Sequence, residues 1–135
     1  MTYDAIIFDL EGTLVDTVKD GNLLIGKENL LELAEEYKLS IATAEPRKST
    51  EALLSKLNLI PKLFDPKKIV TLDDCSRKKP YPEPLLLAKK LIKAKNPAYI
   101  GDTEKDRQAA ENAKITFISV FDKDACARIG VKFSE

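Results

Sequence analysis

Along these 135 residues the apolar positions switch repeatedly between strand and helix period, and that alternation restricts the fold more than any other feature. Residues 3–9 contain the unbroken run Ala5-Ile6-Ile7-Phe8, the pattern of a strand buried on both faces. Over residues 27–38, Leu30, Leu33, Ala34 and Tyr37 fall at helical spacing, and 39–43 reads as a second strand. Leu53, Leu54 and Leu57 mark a second helix, and 68–72, with Ile69 and Val70, a third strand. A third helix begins near Pro84, a residue tolerated in a first turn, with Leu85, Ala88, Leu91 and Ile92 on one face. Residues 98–101 then read as a strand, 103–113 as a helix and 115–121 as a strand. Strands alternating with helices over short connections predict an α/β fold: a parallel sheet covered by helices on both faces.

One stretch interrupts the alternation. Between the first strand and the first helix, Asp20-Gly21 lies between Val18 and Leu23, a two-residue hairpin signal within residues 15–25. The expectation is a small β-hairpin flap with no space for a separate lid. Length and composition predict one domain over 1–135, since 44% apolar and 33% charged residues describe a globular chain of ordinary domain size.

There is no histidine. Its absence removes Ser-His-Asp and Cys-His nucleophile systems, histidine general bases and histidine zinc sites. Chemistry here has to run on carboxylates, hydroxyls and lysines. The balance of 22 basic against 22 acidic residues gives no indication of nucleic-acid binding or of a polybasic membrane patch. Cys75 and Cys126 form no C-x-x-C or metal spacing and read as reduced thiols. No apolar run approaches the roughly 18 residues needed to cross a bilayer. Met1-Thr2-Tyr3-Asp4 lacks the basic segment of a signal peptide, so a cytoplasmic location is expected.

In open parallel sheets, ligands bind beyond the carboxyl ends of the strands. The predicted first strand ends at Asp9, followed by Leu10-Glu11-Gly12-Thr13; the second ends at Thr43; the 98–101 strand runs into Asp102 and then Asp106. Lys79 precedes the third helix in Lys78-Lys79-Pro80-Tyr81-Pro82-Glu83. Carboxylates, a hydroxyl and a lysine therefore share one edge of the sheet.

These residues carry a resemblance. Phe8-Asp9-Leu10-Glu11-Gly12-Thr13-Leu14 resembles the first motif of the haloacid dehalogenase (HAD) superfamily, usually D-x-D-G-T. Ile41-Ala42-Thr43 is similar to its second motif, and Lys79-Pro80-Tyr81-Pro82-Glu83 to its third. Gly101-Asp102-Thr103-Glu104-Lys105-Asp106, followed by Ala109-Ala110, resembles its fourth. Each motif alone is weak, but four in this order and context, from Asp9 to Ala113, are a specific signal. The resemblance implies a three-layer Rossmann-like HAD core without a cap domain. It also implies a Mg²⁺-dependent phosphohydrolase, a small capless phosphatase, that acts through an aspartyl-phosphate on Asp9. By the same resemblance Glu11 is the general acid and base, and Thr43 with Lys79 holds the phosphate. Asp9, the Glu11 carbonyl and Asp102 would bind the metal, with Asp106 supporting it. The implied partner is a phosphorylated substrate, small or macromolecular, reached through an open mouth or under a lid that another protein supplies.

This chain departs from the usual pattern in two places. Glu11 stands where an aspartate is common, adding a methylene while keeping the carboxyl, and this favours phosphate over carbon–halogen chemistry. Ala44-Glu45 follows Thr43 where an asparagine is common, and the extra anion narrows the choice of substrate. Plainer readings compete for several positions. Thr43 also suits a strand, Thr103 and Asp106 a capping box, and Lys79 a solvated run with Arg77 and Lys78. Two other classes share the small α/β sheet. A receiver-like signalling module would need its acid at the third strand's end, where Leu72-Asp73-Asp74 stands, and a non-catalytic phosphate-binding module would keep the pocket alone.

Overall fold

A computed structural model describes residues 2–16 and 21–134. Its central strand, β1 (Ala5–Phe8), is fully buried along its length. Side chains alternate across a strand, so Ile6 and Phe8 enter one apolar layer and Ala5 and Ile7 the other. β1 is flanked by β4 (Lys38–Ile41) and β5 (Pro97–Gly101), and β6 (Thr116–Ser119) pairs with β5 on the outside. The order β4-β1-β5-β6 is parallel throughout, with Phe8 opposite Ile41 on one side and Ile100 on the other. Because the chain steps from β1 to opposite sides of the sheet, the crevice at the carboxyl end of β1 is a topological switch point.

Helices cover both faces, as the alternation predicts. Leu30 and Leu33 of α1 (Lys27–Glu36), Leu54 of α2 (Arg47–Lys56) and Cys126 of α5 (Lys123–Arg128) pack on the Phe8 face. Leu85 and Ala88 of α3 (Glu83–Leu91) and Ala109, Ala110 and Ala113 of α4 (Glu104–Ala113) pack on the Ile7 face. The three small residues let α4 lie close to the sheet. Among the described residues no helix is long and apolar enough to cross a membrane.

The strand expected at 68–72 does not form. It is reduced to a single bridge, Ala42↔Val70, beside β4. On either side the backbone is drawn into 3-10 turns, Pro66–Lys68 and Leu72–Asp74, by its own side chains. Asp65 Oδ1 accepts from the Lys67 N–H at 3.0 Å, and Asp74 Oδ2 accepts from the Thr71 N–H at 2.7 Å. Short polar side chains that bond nearby backbone compete with the sheet ladder in this way. α5, at the other end of the chain, was not expected. Asp122 caps it by accepting from the Ala125 N–H at 3.0 Å.

Between β1 and α1 a hairpin does form, from β2 (Val15–Asp16) and β3 (Asn22–Leu23). Its ladder pairs Val15 with Leu23 and Asp16 with Asn22, and the two-residue turn expected at Asp20-Gly21 falls partly on residues that are not described. Asp20 itself lies outside the described residues. No cap domain occurs among the described residues between β1 and α1.

Candidate active site

The turn after β1 is wound around one carbonyl. The Leu10 oxygen accepts from the N–H groups of Leu14 and Val15, both at 3.0 Å. That winding places Gly12 at φ +76° against Asp102, where an added Cβ would stand 2.1 Å from a carboxylate oxygen. Glycine is required there for conformation and space alike. Asp9 stays in register with the sheet through its N–H, which donates to the Ile100 carbonyl at 2.9 Å. Its side chain continues the alternation of β1 toward the α3–α4 side.

There it meets Lys79. The ammonium donates to Asp9 Oδ1 at 2.9 Å, Asp106 Oδ1 at 2.8 Å, the Tyr99 hydroxyl at 2.8 Å and the Ala42 carbonyl at 3.3 Å. Lys79 is therefore 8% exposed, and the solvated basic run does not describe it. Its loop is fixed at both ends. Glu83 accepts from the Ser76 and Arg77 N–H groups at 2.8 and 3.1 Å, and Asn112 donates to the Pro80 carbonyl at 3.0 Å.

Asp106 has both oxygens engaged. Oδ1 takes Lys79 and, at 2.7 Å, the Tyr99 hydroxyl; Oδ2 takes the N–H groups of Asp102 and Thr103 at 3.2 Å and the Thr103 hydroxyl at 2.9 Å. The capping box at the start of α4 and the grip on Lys79 are thus one residue's work. Gly101 makes room for it, since a Cβ there would come 2.7 Å from the Asp106 side chain. Sequence reasoning missed Tyr99. The available signal was a tyrosine in an otherwise apolar buried strand, where its hydroxyl must find a partner.

Asp9, Asp102 and Asp106 each offer a carboxylate oxygen within 4.8 Å of the others. Asp102 Oδ1 is buried with no hydrogen-bond partner, an orphan acceptor of the sort a cation satisfies. Three carboxyl groups face one ammonium, and a divalent ion would offset their charge when all three are ionised. All the donors are hard oxygens, which suits an ion such as Mg²⁺. Asp106 is saturated by its N–H and O–H donors, so the acids free to take an ion are Asp9 and Asp102.

Electrostatics separate Asp9 from Asp106. Burial pushes the Asp9 carboxyl up to about 8, helped by Asp106 and by contact with Asp102, against the pull of Lys79. Burial would also raise Asp106, but Lys79, Tyr99 and Thr103 outweigh it and hold that group down to about 2. Asp106 is thus the permanent counter-charge of Lys79. Glu11, on the exposed side of the turn, is raised by burial and then by Glu45, with Asp102 and Asp16 adding to the negative field.

Thr43 is 4% exposed and follows β4; its N–H donates to the Val70 carbonyl at 3.0 Å, and its hydroxyl accepts from the Glu45 N–H at 3.1 Å. The neighbouring Ala42 carbonyl touches Lys79, which brings this strand end to the same crevice. The acids at the end of the 68–72 segment do not join them. Asp73 accepts from the Arg47 N–H at 2.8 Å and Asp74 pairs with the Arg47 guanidinium at 2.7 Å, both away from Asp9. The layout of a receiver module is not present.

A Bacillus mycoides protein, pyrophosphatase PpaX, is 35% identical over 96 residues, which is 69% of this chain and 43% of that protein. The chain thus spans less than half the length of this curated relative. The crystal structure of a HAD-superfamily hydrolase of subfamily IA from Geobacter sulfurreducens superposes with a TM-score of 0.78 at 19% identity, over 87% of this chain and 89% of that one. A putative phosphoglycolate phosphatase from Lactobacillus plantarum gives 0.74 at 21% identity, over 88% and 86%. The family model for haloacid dehalogenase-like hydrolases matches residues 26–120, taking in Thr43, Lys79, Asp102 and Asp106. With that match across most of its length and the same core in solved hydrolases, the chain belongs to the haloacid dehalogenase-like hydrolase family.

Proposed function

We propose that this chain is a Mg²⁺-dependent phosphomonoester hydrolase that works through phosphorylated Asp9 and acts in the cytoplasm. The observation that carries the reading is the convergence of Asp9 with Asp102, whose buried oxygen lacks a partner, at the switch point of a parallel sheet. The likeness to pyrophosphatase PpaX, named for a phosphoanhydride, and to a putative phosphoglycolate phosphatase, named for a phosphate ester, supports hydrolysis of a phosphate group.

When bound between Asp9 and Asp102, with the Glu11 carbonyl as a further ligand, Mg²⁺ would draw an anionic phosphate to an anionic carboxylate. The ionised Asp9 carboxylate attacks phosphorus, and the bond from phosphorus to the leaving oxygen breaks. Glu11 gives that oxygen its proton, a role suited to a carboxyl held above its ordinary range. Glu11 then takes a proton from water, whose oxygen attacks phosphorus and releases phosphate from Asp9. Lys79 and the Thr43 hydroxyl stabilise charge on the phosphoryl oxygens. Asp106 and Tyr99 act one step back, by keeping the ammonium of Lys79 in place.

A broad phosphomonoester screen with Mg²⁺, and with EDTA as control, tests the reading. Hydrolysis that EDTA abolishes, and that Asp9→Asn lowers by at least about a thousandfold while the fold is kept, is the expected result. No turnover of any ester by folded protein, with phosphate binding retained, would make this a non-catalytic phosphate-binding module instead.

A further inference from the structure

We propose that the space beside Glu11 is the leaving-group subsite, and that Glu45 makes it select a leaving group bearing an ammonium over one bearing a carboxylate or phosphate. The proposal rests on the hydrolase reading above. A proton donor to the leaving oxygen has to stand on the leaving group's side of phosphorus, so the rest of that group extends past Glu11. A cavity of about 200 Å³ opens there, lined by Leu10, Glu11, Glu45, Ser49, Thr50 and Leu53. It runs from the turn after Asp9 to the first turns of α2. The hairpin packs beside its far wall, where a Cβ at Gly21 would lie 3.3 Å from Leu53 Cδ1.

The lining is one-sided in chemistry. Glu45 adds a second carboxyl within hydrogen-bond reach of Glu11, Asp16 and Asp102 extend the negative field, and none of the six lining residues is basic. Ser49 Oγ gives its proton to the Pro46 carbonyl at 3.2 Å, which leaves its lone pairs as acceptors. The pocket thus offers acceptors from Glu45 and Ser49. An ammonium donates to all of them and meets opposite charge; a carboxylate or phosphate is repelled and donates nothing. Leu10 and Leu53 give the intervening carbons an apolar wall. At roughly 30 Å³ for a water-sized group, the volume holds on the order of six non-hydrogen atoms. A phosphorylated small amino alcohol fits in size and in charge.

The test compares kcat/KM for phosphoethanolamine and 2-phosphoglycolate, with p-nitrophenyl phosphate as a probe of the chemistry alone, all with Mg²⁺. The ratio of the two esters within one enzyme preparation is the readout, so partial loss of folded or active protein in a variant cancels. The expected ratio favours the amine on the order of tenfold or more, falls toward one in Glu45→Gln and reverses in Glu45→Lys. Hydrolysis of p-nitrophenyl phosphate with a ratio at or below one, or with a ratio that Glu45→Gln and Glu45→Lys leave unchanged, overturns the selectivity while the hydrolase reading stands. No hydrolysis of any of the three esters by folded protein removes both.

Discussion

Tyr99 joins the two charges that matter most, accepting from Lys79 and donating to Asp106 within a fully buried strand. Removing its hydroxyl leaves each of them one partner short inside the protein. Tyr99→Phe is expected to lower stability by about 1–3 kcal/mol in urea unfolding. Lys79→Met should cost more, about 3–5 kcal/mol, because it strands two carboxylates that now share one ammonium. A Tyr99→Phe cost near zero would mean that the phenol does not bridge the pair. The acids were legible because residues at the carboxyl ends of parallel strands converge wherever the chain goes. Tyr99 was not, because a tyrosine in an apolar run looks like any β-former until its neighbours are known. Glu83 was legible only as part of a motif. Its carboxylate holds two backbone N–H groups of the Lys79 loop, a contact set by the path of that loop.

At the scale of elements, the segment that replaces the expected strand is tied down by Arg47. Its guanidinium donates to the Pro66 and Ile69 carbonyls at 3.1 and 2.7 Å and pairs with Glu51 and Asp74. Burial raises the Asp74 carboxyl, but Arg47 and the N–H and hydroxyl of Thr71 overcome it and hold the group below its ordinary value. A depressed carboxylate favours the folded chain above its unfolded pKa, about 3.9, and loses that contribution as pH falls through the folded value. Thermal midpoints of wild type and Asp74→Asn should therefore differ most above about pH 4 and converge as the solution is acidified. A gap that stays constant with pH would show that the ion pair is not what the variant removes. The period of the apolar residues revealed most elements because burial on two faces imposes it. It misled at 68–72, where Ile69 and Val70 are buried but their neighbours bend the backbone locally. It was silent on α5, whose six residues carry one buried position and no repeating pattern.

For the whole molecule, the described residues leave the carboxyl end of β1 without a cap domain over it. Asp9 is 8% exposed there, beside the turn that carries Glu11. The charge imbalance around it has a consequence for stability as well as chemistry. An ion bound only by the folded chain adds about 2.7 kcal/mol at a hundred times its Kd. Mg²⁺ is therefore expected to raise the thermal midpoint of the wild type and to leave that of Asp102→Asn nearly unmoved, as calorimetry would record. Equal shifts in both would place the ion elsewhere. The most direct measurement is rapid acid quench of the protein turning over a phosphomonoester with Mg²⁺, then borohydride reduction and peptide mass spectrometry. A phosphorylated residue 9, reduced to homoserine only where substrate and Mg²⁺ were both present, is the predicted result. Turnover with no adduct, or with an adduct at any other position, would contradict nucleophilic attack by Asp9.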